Sequence, residues 1–408
     1  MRGNWKRCLS RRGRILTTDS LIPVRPSDSW AMIRSRTLRL TPSLTMTNQA
    51  NPNPKSDPNA VVFAGDGEPH TPESTIARLN TLLEEGKLSP DNYSDGGTVT
   101  ELETRMAEEL GKEAAIWMPT GTMANIIGLR EHCGTNARVV LQEQSHIYQD
   151  EGDALSRLCS INAVPLAPNR PYFTDDELKE TFRLSTTGRV LNPVGAVSIE
   201  SPVRRQAGQI TPWDEMIAVT DLCHEEEIPV HLDGARLYMM SAATRIPVKQ
   251  YTALFDSVYV SSYKYFGAPF GGILAGTSDF IEGLFNDRRM FGGGIPFGYL
   301  AAGLSLAGFE GFVEKFAESF AKAEELFESL NEINGIQVRK FEHGSNIFEL
   351  ILDGVDADGL VKNLVGHGIV LNWPNAEWPV PLLHVNRSIL RRTNEEIVAA
   401  FAESVGRS

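Results

Sequence analysis

Residues 228–237 read IPVHLDGARL. Ile228, Val230 and Leu232 alternate with Pro229 and His231, so both faces of the run are too apolar for a half-solvated strand, and the run stops on Asp233 and Gly234. A short strand buried on both faces, ended by an acid and a glycine, belongs in a parallel sheet with its carboxyl end at a crevice. His231 and Asp233 are two residues apart and share one face of that strand. Working outward, ARVVLQ (137–142), SINAVPLA (160–167), GAVSIES (195–201), DSVYVSS (256–262) and GGILAG (271–276) have similar length and character.

Between these runs lie helix signals. In TVTELETRMAEELGKE, Thr98 and Glu101 have capping-box spacing, Leu102, Met106 and Leu110 repeat helically, and Gly111 ends the pattern. TPWDEMIAVTDLCHEEE is opened by Thr211, with Pro212 at the first helical position. Strand alternating with helix gives an α/β fold, a doubly wound and mainly parallel sheet. Beyond Gly303 one long helix is expected, with Phe309, Phe312, Val313, Phe316, Phe320, Ala323, Leu326 and Leu330 on one stripe. NIFELIL, a further helix and PLLHVN follow it, and together they read as a smaller C-terminal α+β domain. The expected organisation is a basic tail and linker over 1–58, a large α/β domain over 59–303 and a small domain over 304–408. No internal repeat is present.

The 408 residues suffice for more than one core. Hydrophobic residues at 41% and charged residues at 22% are ordinary for a globular chain, and no apolar run is long enough to span a bilayer. The net charge of −13 understates the acidity of the body, because residues 1–50 carry ten Lys/Arg against Asp19 and Asp28. An acidic body repels phosphate backbones, so neither nucleic acid nor membrane is expected as a partner. The tail has two readings: an organelle-targeting peptide, or translation upstream of a true start at Met46. Cys8, Cys133, Cys159 and Cys223 have no paired spacing, which suggests a reducing compartment, a cytoplasmic location and no zinc site.

Three stretches could carry chemistry. In VSSYKYFGAPFGG (260–272), Lys264 is the only charged residue between Asp256 and Asp279. A lone lysine usually runs its stem along the surface to solvent. Beside apolar neighbours it can instead be held neutral as a nucleophile. Asp233 could reach into a crevice, pair with Arg236, or share a metal with His231, although no third ligand stands near. In MPTGTMANIIGLREH (118–132), a small-residue turn at Thr120–Thr122 opens a helix, which suits either a plain cap or a phosphate. The order is phosphate turn, strand acid, then lysine 31 residues downstream of Asp233. Pyridoxal 5'-phosphate (PLP) needs these parts: a helix start for its phosphate, a carboxylate for its ring nitrogen and a lysine for its aldehyde.

With these parts in that order, the chain resembles the threonine aldolase and β-eliminating lyase family, of the aspartate aminotransferase fold (PLP fold type I), over nearly all of residues 60–400. HLDGARL is the most specific match, supported in sequence order by PTGTMAN, SSYKYFGAP and FGGGIPFG. The resemblance implies Lys264 as the cofactor lysine and Asp233 as partner of the pyridine nitrogen. It implies Gly121 and Thr122 as phosphate binders. His146, in QSHIYQDEGD, matches the histidine stacked on the ring. Arg236 matches an arginine near the phenolic oxygen and the substrate carboxylate, and Glu200 a glutamate that the family follows with asparagine, where Ser201 and Pro202 stand here.

The substrate side departs from the pattern. Ile295, Pro296 and Phe297 follow the triple glycine where an arginine is usual, and Leu383 occupies the position of the carboxylate-binding arginine. No counterpart exists for the histidine that helps deprotonate the substrate hydroxyl. Arg387, Arg288 or Arg289 could compensate from a shifted position. The resemblance implies a PLP-dependent carbon–carbon lyase that cleaves a β-hydroxy-α-amino acid to glycine and an aldehyde, as a homodimer or homotetramer, with FGGGIPFG as the segment reaching a neighbouring site. Two alternatives are a PLP-dependent β-eliminating lyase and a PLP-binding protein that has lost catalysis.

Overall fold

The computed structural model describes residue 55, residues 57–372, residue 378 and residues 381–406. The basic tail with Cys8 and Met46 lies outside the described residues. Among the described residues, twelve strands follow in chain order: β1 (Val61–Phe63), β2 (Ala114–Met118), β3 (Arg138–Gln142), β4 (Asn162–Leu166), β5 (Ala196–Glu200), β6 (Val230–Asp233), β7 (Ser257–Ser261), β8 (Gly272–Gly276), β9 (Ile336–Lys340), β10 (Ile347–Leu352), β11 (Ile369–Leu371) and β12 (Leu382–His384).

Seven strands form the main sheet in the order β2-β8-β7-β6-β5-β3-β4. From β4 to β7 all pairings are parallel, while β8 runs antiparallel to both β7 and β2. The sheet is therefore the doubly wound, mainly parallel one that the buried apolar runs imply, and all six of those runs are strands. β2 was not expected. It is the apolar approach to the Thr120 turn, and its antiparallel pairing with β8 leaves no crossover helix to announce it. A second, antiparallel sheet has the order β12-β10-β9, and β1 pairs in parallel with β11. Val61 and Phe63 accordingly pack with Phe320, Leu326, Leu350 and Leu383.

Three local readings need correction. The helix at 97–110 starts one residue before Thr98, with Gly96 as cap at φ 86°, so Thr98 lies inside it and accepts the Ser89 N–H at 2.8 Å instead of capping. Gly111 does end it in the left-handed region, at φ 62°. The helix at 213–225 begins one residue after Pro212, which is its cap. The long helix expected after Gly303 is two, Gly298–Phe309 and Phe312–Leu330, broken where Gly311 adopts φ 65°. Within the second helix Val313 is 41% exposed, off the buried stripe, whereas Phe312, Phe316, Phe320, Ala323, Leu326 and Leu330 are buried.

No helix among the described residues is long and apolar enough to cross a membrane.

Candidate active site

Glu200, Asp233 and Tyr259 are backbone partners across β5, β6 and β7, so they form one row near the carboxyl ends of three parallel strands. A cavity of about 250 Å³ opens on this row. It brings together all seven residues singled out in the sequence: Gly121, Thr122, His146, Glu200, Asp233, Arg236 and Lys264.

The floor is acidic and ordered by neutral donors. Asp233 is buried; its Oδ2 accepts from Asn125 Nδ2 at 3.0 Å and its Oδ1 from the Ala235 N–H at 3.2 Å. Glu200 is buried too, and its carboxylate accepts the N–H groups of His146 (2.5 Å) and Arg204 (2.9 Å), fixing the loop that carries His146. Burial, then the charge of Asp233, pushes the Glu200 carboxyl up to about 7. His146 Nδ1 meets Glu151 Oε1 at 3.0 Å. That hydrogen bond raises the imidazole above its ordinary value, against the opposing effect of burial.

Lys264 and Arg236 supply the cations. Lys264 follows β7, half-buried, and its amine is pushed down to about 8 by burial first and then by the Arg236 charge. Arg236 forms a bidentate pair with Asp66, Nε to Oδ1 at 2.8 Å and Nη2 to Oδ2 at 3.0 Å. Burial works against both charges in that pair, yet the mutual attraction leaves the arginine raised and the aspartate lowered. The pairing of Asp233 with Arg236 considered from sequence is therefore replaced by Asp66 with Arg236. The shared-metal reading of His231 also falls, because both its ring nitrogens are engaged, Nδ1 with Ser257 Oγ and Nε2 with Asn125 Oδ1.

The helix at 121–133 points its first turn into the cavity. Thr120 caps it, accepting the Met123 N–H at 3.1 Å, and the first amides of a helix have no partner within it. A Cβ on Gly121 would stand 2.2 Å from Tyr259 Oη, so the backbone reaches the cavity wall only because residue 121 lacks a side chain. The result is a bare backbone cradle with a positive dipole end, which fits a phosphate. A carboxylate and a depressed lysine on the same cavity complete the donor set that PLP requires.

Three expected substitutes for the carboxylate arginine are not on the cavity wall. Arg288 is buried elsewhere, donating to the carbonyls of Trp117 and Ser94 at 2.8 Å each. Arg289 lies over the Tyr93 ring and Arg387 faces Glu68 at 3.5 Å. Leu383 is fully buried in the apolar core. Sequence reasoning missed Asp66, Asn125 and Glu151. Asn125 was legible in principle, one turn after Gly121 on the same helix face. Asp66 was not, because 170 residues separate it from Arg236.

Residues 84–352 match the family model for the β-eliminating lyases. The low-specificity L-threonine aldolase 1 of Arabidopsis thaliana is 31% identical over 307 residues, covering 73% of this chain and 86% of its own. The low specificity L-threonine aldolase of Escherichia coli is 27% identical over 341 residues, covering 82% and 98%. Among solved structures, a candidate L-allo-threonine aldolase of Listeria monocytogenes superposes with a TM-score of 0.70 at 30% identity, over 84% of this chain and 96% of that one.

Proposed function

The chain belongs to the β-eliminating lyase family, and from that premise we propose that it is a PLP-dependent aldolase cleaving a β-hydroxy-α-amino acid, such as threonine, allo-threonine or an aryl analogue, to glycine and an aldehyde. The observation that carries the reading is one cavity lined by Lys264, Asp233 and the Gly121–Thr122 helix start.

PLP, when bound, supplies the electron sink that carbon–carbon cleavage needs. Gly121 and Thr122 would hold its phosphate with backbone N–H groups, and Asp233, oriented by Asn125 and Ala235, would hold the ring nitrogen's proton. Lys264 would bond to the aldehyde carbon. An amine with a value near 8 has a neutral fraction at physiological pH far above that of a free lysine. Asp66 occupies Nε and Nη2 of Arg236, which leaves Nη1 to a substrate carboxylate. His146 is the candidate acceptor for the substrate hydroxyl proton. Glu151 sits on Nδ1, so Nε2 is the atom free to take it. Glu200 holds His146 in place through its backbone.

The resemblance further supports a homodimer or homotetramer in the cytoplasm, checked by light scattering and by locating the tagged full-length chain. The decisive test is product analysis after incubating the PLP-loaded protein with L-threonine, L-allo-threonine and L-phenylserine, with Lys264→Ala as control. Glycine with the matching aldehyde, absent in the control, is expected. Ammonia with an oxo acid would replace this reading by β-elimination.

A further inference from the structure

Behind Asp233 a chain of hydrogen bonds runs away from the cavity between the sheet and the helix at 121–133. Asn125 Nδ2 lies 3.0 Å from Asp233 Oδ2 and 3.1 Å from Glu151 Oε1. Asn125 Oδ1 meets His231 Nε2 at 3.2 Å, His231 Nδ1 meets Ser257 Oγ at 2.8 Å, and Ser257 Oγ meets His132 Nε2 at 2.7 Å. Asn125 and His132 are seven residues apart, two turns along one helix face. His231 and Ser257 are direct backbone partners on β6 and β7 and bridge that span. Gly128 lies between the two helical residues, and a Cβ there would stand in ordinary contact with His231 Cε1, at 3.8 Å, so the helix packs directly over the histidine.

The direction of every proton follows from the atoms. Carboxylates only accept, so the amide nitrogen of Asn125 faces Asp233 and Glu151 and spends one N–H on each. Its carbonyl oxygen also only accepts, so His231 must carry its proton on Nε2. Burial, with a smaller effect from His132, pushes His231 down to about 3, so the ring is neutral and Nδ1 is an acceptor. Ser257 therefore donates its single hydrogen to His231, and its oxygen accepts from His132 Nε2. All the donors point the same way, toward Asp233. If His231 carried its proton on Nδ1 instead, the amide would turn over and set a carbonyl oxygen against two carboxylates.

We propose that His231 and Ser257 are positioning residues, which fix the Asn125 amide so that its N–H groups hold Asp233 toward the cofactor's ring nitrogen and Glu151 toward His146. The role toward the cofactor rests on the PLP reading above, whereas the tautomer of His231 does not. Loss of the hydrogen bond behind a metal-ligating residue costs about tenfold or more, and an effect on that scale is expected behind Asp233.

The test compares Ser257→Ala and His231→Phe with His231→Gln, whose side-chain amide can still donate to Asn125 and accept from Ser257. Expected for the first two are about tenfold weaker PLP binding by the apoprotein, a shifted pH midpoint of the bound cofactor's absorption, and kcat about tenfold lower with KM within twofold. His231→Gln should restore most of each. Equal damage in His231→Gln and His231→Phe, or no change in any variant, would overturn the proposal. Nitrogen-15 shifts of labelled histidine in the ligand-free wild type should show His231 protonated at Nε2 across the neutral range, its signals identified by their absence in His231→Gln. A proton on Nδ1 would overturn the relay whether or not Ser257→Ala and His231→Phe fold. Failure of the wild type to bind PLP would remove the cofactor reading and leave this last measurement standing.

Discussion

Gly121→Ala sets two effects of opposite sign against each other. Alanine is the better helix former, by up to about 1 kcal/mol in a helix interior and less at a first position. Against this, the added Cβ would stand 2.2 Å from Tyr259 Oη, 2.6 Å from Cζ and 3.0 Å from Cε1. The ring cannot swing away, because Tyr259 is only 2% exposed and a Cβ on Gly272 would meet its other edge at 2.5 Å. Overpacking of this kind costs roughly 1–3 kcal/mol, so the clash outweighs the propensity. The cheaper relief is retreat of the helix start by about 1 Å to reach ordinary contact, which would take the Gly121 and Thr122 amides away from the position proposed for the phosphate. About 1.4 kcal/mol lost there means tenfold weaker PLP binding. The assay is titration of the apoprotein with PLP, followed by tryptophan fluorescence, alongside thermal melting. Gly128→Ala in the same helix is the control, since its Cβ would meet Leu274 at a tolerable 3.4 Å. A Gly121→Ala protein that binds PLP like the wild type and melts no lower would refute the reasoning.

Two further outcomes follow from buried carboxylates. Glu151→Gln removes the main cause of the raised His146 value, and a base acts only when unprotonated, so the acid limb of the kcat/KM profile should move to lower pH; an unmoved limb would remove His146 from the proton path. Glu103, pushed from 4.5 up to about 7 by burial, binds more protons folded than unfolded in that window, so stability falls as pH rises through it. Glu103→Gln should flatten that fall and gain at most about 3 kcal/mol above pH 7, measured by urea unfolding across the window; parallel wild-type and variant curves would contradict the shift.

The central strands were legible because burial on both faces leaves a compositional mark in each segment separately, as in β5, β6, β7 and β8, while the edge strand β4 kept enough apolar character to be read although none of its residues is fully buried. The residues proposed to hold the cofactor could be picked out, and are found on one cavity, because strand ends and helix starts are local features: Asp233 ends β6, Lys264 follows β7, and Gly121 opens a helix. What failed to show was anything made by bringing distant segments together. Asp66 lies in a polar loop just after β1, and its pairing with Arg236 is made only by the tertiary fold, across 170 residues of chain. The helix break at Gly311 was hidden by a hydrophobic stripe that resumes in phase after it. Thr98 had the right spacing for a capping box, but Gly96, one of the few residues at ease with φ 86°, took the cap.

The charges around the cavity are arranged so that its lysine has no acid partner of its own. Asp66, Glu151, Glu200 and Asp233 surround Arg236, Lys264 and His146, and unrelieved repulsion among four acids would be costly. The structure distributes them by assigning each carboxylate its own donors. Asp66 takes Arg236, Glu151 takes His146 and Asn125, Asp233 takes Asn125 and the Ala235 amide, and Glu200 takes two backbone amides. Lys264 is left out of every one of these hydrogen bonds. Three nearby acids favour its charge, yet burial and Arg236 outweigh them and the amine falls to about 8. A lysine paired with one of those carboxylates would be held charged and lose its nucleophilicity. Satisfying the acids elsewhere is what keeps the amine available, and under the proposed function the lock of Arg236 to Asp66 has a further use: a mobile guanidinium would be drawn to Asp233, the carboxylate proposed for the ring nitrogen.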